Sequence, residues 1–199
     1  PPKNTVIFLL SEDPSKLLAT IQSRTQFVRI PKIESEYLTK ELMSRFQLEK
    51  NQAESIAAFS EGDFIKASHF LNDSDNKGIY REHFIQLMRT SYKKDVLGMM
   101  QWADGMAAEG KERQKLFIQY ALHMFRQSLL SNYMGDVLLR ISTEEEQFLK
   151  NFAPFISGNN IREFIETFDD AHYHIDRNAN ARILFTQMCF QTMRFIHQA

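Results

Sequence analysis

A mainly α-helical fold is predicted by three features of this 199-residue sequence. Gly and Pro number only 7 and 5, about half of the roughly 12% that the two usually hold together, so the chain is short of turn formers. From Ile33 onward apolar side chains recur at the helical period with hardly a break, as expected of helices that each bury one face. The exception is the run Val6-Ile7-Phe8-Leu9-Leu10, apolar at every position instead of alternating, as in a strand with both faces covered.

The sequence opens Pro1-Pro2-Lys3-Asn4, with neither an initiator Met nor a targeting segment, and reads as cut from a longer chain. Thr5 to Leu10 is the expected strand. In Ser11-Glu12-Asp13-Pro14 the Asp can cap and the Pro suits a first helical position. A helix is therefore expected from Ser15 to about Gln22, with Leu17, Leu18 and Ile21 apolar. Gln26-Phe27-Val28-Arg29-Ile30 is a second apolar segment, stopped by Pro31, which disfavours helix at the residue before it. Residues 1–31 thus read as strand, helix, strand, the closing portion of an α/β domain.

Residues 32–72 read as a three-helix unit. Its faces are Tyr37, Leu38, Leu42 and Phe46, then Ala53, Ile56, Ala57 and Phe59, then Phe64, Ala67, Phe70 and Leu71. The stretch from Asn72 to Gly78 is the most polar in the chain and has no apolar side chain, which places a linker at residues 73–79. Residues 80–199 carry helical patterns around Tyr80–Thr90, Lys93–Ala108, Glu112–Asn132, Thr143–Phe155, Asn160–Tyr173 and Ala179–His197. Long helices with short joints predict an antiparallel bundle, and the absence of any repeat of about 20–50 residues argues against a solenoid.

Charge is balanced, 24 basic residues against 25 acidic, so nothing global marks a nucleic-acid coat or an acidic tail. No apolar run approaches the roughly 18 residues of a membrane span. One cysteine, Cys189, excludes an internal disulfide framework or a zinc site built on several thiolates, and a reducing, cytoplasmic setting fits. Asp169, Asp170, His172, His174 and Asp176 include pairs at i,i+3 and i,i+4 that can hold a metal. There is no second copy of the motif, and a solvated helix end is the expected reading. Lys111, Arg113 and Lys115, and the pair Lys93-Lys94, could meet phosphate, but Glu109, Glu112 and Asp95 dilute them into ordinary solvated faces. Cys189 lies in an apolar helix without a nearby His or Lys and reads as a structural thiol.

The stretch from Thr5 to Thr25 ends Leu17-Leu18-Ala19-Thr20-Ile21-Gln22-Ser23-Arg24-Thr25. It resembles the bacterial clamp-loader subunits of DNA polymerase III. In that family a buried strand, a short polar segment with Pro and a helix reading Leu-Leu-x-Thr-Ile-x-Ser-Arg close an AAA+ ATPase-type domain, and a helical lid and collar follow. The resemblance implies that residues 1–31 are the end of such a domain, 32–72 a lid, and 80–199 a collar that joins subunits into a ring. It implies that Arg24 is an arginine finger offered to ATP in the neighbouring subunit, where a planar, always charged guanidinium can neutralise charge on a transferring phosphate. By residue physics alone Arg24 is a helix-terminal cation favoured by the macrodipole; the flanking motif favours the finger. The family's usual Ser-Arg-Cys is Ser-Arg-Thr here.

Two departures bear on the kind of subunit. Gly62-Asp63-Phe64-Ile65-Lys66-Ala67 places Ile65 where the hydrolysing gamma or tau subunits carry a sensor arginine, and Lys66 is about 100° around the helix. Ser11 and Glu12 stand in place of two sensor threonines. Both imply the non-hydrolysing delta prime class, with no cofactor held by these residues and ATP in the neighbouring subunit. The implied partners are the gamma/tau and delta subunits through the collar, with the sliding clamp and primed DNA indirectly and no membrane. A hydrolysing gamma/tau subunit and an unrelated helical adaptor are the alternatives.

Overall fold

The computed structural model describes residues 4–11, 14–72, 77–134 and 143–198. Among them are ten α-helices and no strand, and the chain divides into two compact units, Pro1–Lys32 and Ile33–Ala199.

In the first unit a tight 3-10 turn, Pro14–Lys16, leads to the short helix α1, Ala19–Gln22. The expected strand-helix-strand piece is not seen. Residues 5–10 and 26–30 carry no regular structure, and Val6, Phe8 and Leu10 are 76%, 86% and 91% exposed. An unbroken apolar run shows that both faces of a segment need cover. A strand also needs a second backbone for its N–H and C=O groups, and among the described residues these segments pair with none. The helix expected from Ser15 starts only at Ala19, because Leu18 holds an extended ψ of 137°.

The second unit begins with α2 (Ser35–Phe46), α3 (Lys50–Ser60) and α4 (Phe64–Asn72). These close on Leu38, Leu42, Ala53, Ile56, Ala57, Ala67 and Leu71. Glu61 and Gly62, both at positive φ (51° and 85°), reverse the chain between α3 and α4. The Asp63 carboxylate then accepts from the Lys66 N–H at 2.9 Å and starts α4. Of the linker expected at 73–79, residues 77–79 belong to the first turn of α5 and 73–76 lie outside the described residues.

The remaining helices are α5 (Lys77–Tyr92), α6 (Val96–Ala108), α7 (Lys111–Met134), α8 (Thr143–Phe152), α9 (Ile161–Asp176) and α10 (Ala181–Ile196). The long helix α7 packs against α5, α8 and α9, while α10 lies on α5, α6 and α9. Phenylalanines fill the middle: Phe125 has ring centroids of Phe164, Phe168 and Phe84 at 4.6, 4.9 and 5.4 Å, and the tilted and edge-on geometries suit the ring quadrupoles.

With few glycines and prolines, the joints are closed by side-chain amides. Gln114 Nε2 donates to the Met106 and Glu109 carbonyls at 3.0 and 2.8 Å and ties off α6. Asn132 Nδ2 donates to Ala153 and Ile156 at 2.7 and 2.6 Å. Asn160 is 0% exposed; its Nδ2 donates to the Phe155 and Phe195 carbonyls at 2.9 and 3.0 Å, and its Oδ1 accepts from the Ser157 N–H at 2.9 Å. At the α5–α6 joint Lys94 takes a positive φ of 55° and Asp95 caps α6 through the Gly98 N–H. A Cβ at Gly98 would stand 2.5 Å from Asp95 Oδ2, so any larger residue there displaces the capping side chain.

Two rings of the three-helix segment meet the later helices: Phe70 of α4 stacks on Tyr80 of α5 at 5.9 Å, and Phe59 goes deeper. Phe59, at the end of α3 and 5% exposed, belongs to the core of α5–α10. It lies 4.7 Å from Phe70 and edge-on to His123 of α7 at 5.9 Å. An exposed ion pair, Arg126 to Glu61 at 2.8 Å, accompanies it.

Candidate functional site

Arg24 is in the turn that ends α1. The turn is held by its neighbours: the Gln22 side chain reaches back to donate from Nε2 to the Pro14 and Leu17 carbonyls at 2.9 and 2.8 Å. The Ser23 N–H bonds the Ala19 carbonyl at 2.9 Å, the Ser23 hydroxyl the Thr20 carbonyl at 3.3 Å, and the Arg24 N–H the Ile21 carbonyl at 3.1 Å. The Thr25 hydroxyl donates to Ile21 and Gln22 carbonyls at 3.1 and 3.3 Å. All four carbonyls of the helix are thereby engaged. A helix of four residues has little macrodipole for a terminal cation to complement, and the exposed Arg24 side chain forms no hydrogen bond or ion pair with the described residues of its unit. The arrangement can present a planar cation to an anion from outside. Gln22 and Thr25 position it; the sequence showed Thr25 only as a small polar residue, although a hydroxyl four residues past Ile21 at a helix end was the available signal.

Ile65 stands 69% exposed on α4, while Lys66 turns inward and sets its ammonium 4.5 Å from the Phe59 ring centroid. The basic start of α7 and the acidic end of α9 meet. Lys111 Nζ donates to the Asp176 carbonyl at 2.7 Å and to Asn178 Oδ1 at 3.2 Å, and Lys115 lies 3.4 Å from the Asp176 carboxylate. The hydrogen bond and charge of Lys115, with Lys111 adding, hold the Asp176 carboxyl below the usual aspartate value. His172 contacts Gln119 Nε2 at 3.2 Å, and burial followed by the Lys115 charge lowers its pKa. Burial pushes Asp169 up, against the opposing charges of His172 and Arg126. Among the described residues no three His, Cys, Asp or Glu side chains converge as metal ligands. Arg113 pairs with Glu109 at 3.2 Å. Cys189 is fully buried; desolvation pushes its thiol up to about 12, and Sγ donates to the Met99 carbonyl at 3.6 Å. No helix among the described residues is long and apolar enough to cross a membrane.

A family model described as DNA polymerase III, delta subunit, matches residues 1–34, the segment that contains the Arg24 turn. The match points to the clamp-loader family. No curated protein and no solved structure matches the chain, so the similarity is carried by these residues, and the helical remainder is described by its own geometry.

Proposed function

We propose that this chain is the delta prime subunit of the DNA polymerase III clamp loader, a non-hydrolysing member that joins the ring through residues 80–199 and offers Arg24 to the ATP of a neighbouring subunit. The observation that carries the reading is the family match over residues 1–34, together with an Arg24 whose helix end is already capped by Ser23 and Thr25. An exposed Ile65 supports the non-hydrolysing class, because an aliphatic side chain has nothing to offer a phosphate. Its partners are the gamma/tau and delta subunits, with clamp and primed DNA reached through the assembly and the cytoplasm as its compartment.

In the full-length protein Arg24→Ala leaves the mass of the reconstituted loader unchanged and lowers its steady-state ATPase with clamp and primed DNA present. Trans fingers are worth about 10³–10⁵ in the GTPases; one site among several in a ring costs a smaller share of total turnover. Arg24→Lys restores it only in part, since the charge returns without the planar fork. Unchanged turnover with Arg24→Ala removes the finger, and loss of assembly makes Arg24 a structural contact.

A further inference from the structure

Helices α6 and α10 run antiparallel. Asp104 Oδ1 meets Arg182 Nε at 2.6 Å, and Cys189 Sγ meets the Met99 carbonyl at 3.6 Å. Met99 and Cys189 are therefore adjacent across a buried seam. One residue further along each helix turns the side chain by about 100°, and in an antiparallel pair these two rotations lead to the same side. Met100 and Phe190 accordingly share the outer side of the pair, 44% and 38% exposed. Leu97 and Ile183, one and two turns back on their helices, extend the face and are each 67% exposed.

At the Phe190 end an open groove of about 740 Å³ is lined by Phe190, Met193 and three glutamines and bordered by Lys94, Arg194 and His197, with no carboxylate. The nearby acids are engaged, Asp95 as the cap of α6 and Asp104, one turn beyond Met100, with Arg182. The face is thus apolar at Leu97, Met100 and Phe190, crossed farther along by the exposed Asp104–Arg182 pair and Gln187, and basic at the Lys94 end.

We propose that the α6–α10 face docks an amphipathic helix of another protein, its apolar stripe on Leu97, Met100 and Phe190 and its acidic residues toward Lys94 and Arg194. Two adjacent helices leave a furrow that a third helix can fill with side chains at i, i+3, i+4 and i+7. The charge selects the occupant: a second copy of this same face would bring no carboxylate to the basic end, whereas an acidic helix meets it with opposite charge. The proposal rests on these two helices alone and holds whatever role Arg24 has.

The test uses the 199-residue chain and a fluorescein-labelled helical peptide of about 18 residues, five turns, with a Leu/Phe stripe flanked by Glu. Comparison probes are the same peptide with Lys for Glu and a single-stranded oligonucleotide. The Glu peptide is expected to bind saturably by anisotropy and to shift the methyl resonances of Leu97 and Met100. Met100→Ser with Phe190→Ser should abolish binding, and Arg194→Glu should weaken it about tenfold while strengthening the Lys peptide. Circular dichroism melts check the fold of each variant; if the double variant melts early, Leu97→Gln at the more exposed position replaces it. No saturable binding, equal binding of the Lys peptide, or shifts confined to other helices would overturn the proposal. Tighter binding of the oligonucleotide, lost with Arg194→Glu, overturns it in favour of a nucleic-acid surface. A dimer of the chain broken by Leu97→Gln overturns it in favour of a second copy.

Discussion

The Lys115 ammonium, on the second turn of α7, lies 3.4 Å from the carboxylate of Asp176, the last residue of α9. The contact fastens the end of one helix to the start of its packing neighbour, with Lys111 bonding the Asp176 carbonyl beside it. The folded state holds the Asp176 carboxyl below its ordinary value, so it binds that proton less readily than the unfolded chain does. The resulting stability is complete above the unfolded aspartate value of about 3.9 and is lost as pH falls through the lower folded value. Asp176→Asn should therefore melt earlier than the parent chain at pH 7, with the two melting curves converging below about pH 4. A gap that is constant from pH 7 to pH 3 would show that the charge contributes nothing.

Asn160 is expected to be the most sensitive polar position. Asn160→Ala leaves the Ser157 N–H and the Phe155 carbonyl without the amide that satisfied them, a cost of about 1–3 kcal/mol for each buried group so stranded. Asn160→Asp should be worse, since a carboxylate replaces the donor facing the Phe155 and Phe195 carbonyls. Urea unfolding gives both numbers; an Asp variant as stable as the parent contradicts the geometry.

At the seat of α2–α4, Phe59 and the Arg126–Glu61 pair make opposite forecasts. Phe59→Ala empties a nearly buried aromatic site and should cost about 3 kcal/mol. Arg126→Ala breaks a pair whose side chains are 62% and 51% exposed, and should cost less than about 1 kcal/mol. Denaturant titrations of the two variants side by side decide it, and a loss for Arg126→Ala as large as that for Phe59→Ala would mean that the ion pair holds the seat as much as the ring does.

Cys189 should be silent in the native protein. Its thiol is pushed up to about 12 by burial, and thiolate is the reacting form. A maleimide reagent at neutral pH is expected to modify it only as fast as the molecule opens, and at once in guanidinium. Full modification within seconds while the helical signal persists would place the sulfur nearer the surface than it stands here.

The helices were legible because their burial is periodic: Phe164, Phe168, Ala171 and Ile175 are spaced as one face of α9, and all four are buried. Their ends were less so. The pattern carried α6 back to Lys93, but Lys94 turns through positive φ and Asp95 supplies the cap, a decision made by two residues that periodicity does not weigh. Val6 to Leu10 had strand composition without a strand, since pairing is a property of two segments. Asn160 resembled an ordinary helix-opening residue; what makes it matter is the Phe195 carbonyl, 35 residues away. Arg24 was visible only through the contiguous motif around it, because an exposed arginine after a short helix has no pattern of its own.

The seating of Phe59 has a mechanical consequence. With α2–α4 built around their own small core and joined to the later helices by Phe59 edge-on to His123 of α7 and by Phe70 stacked on Tyr80 of α5, a torque applied to the three helices is delivered to α5 and α7 together. Two points of contact resist a tilt that one would allow, in keeping with Ile33–Ala199 being one compact unit. Phe70 packs against both cores, so trimming it would slacken the joint and the small core at once, whereas trimming His123 would loosen only the grip on Phe59.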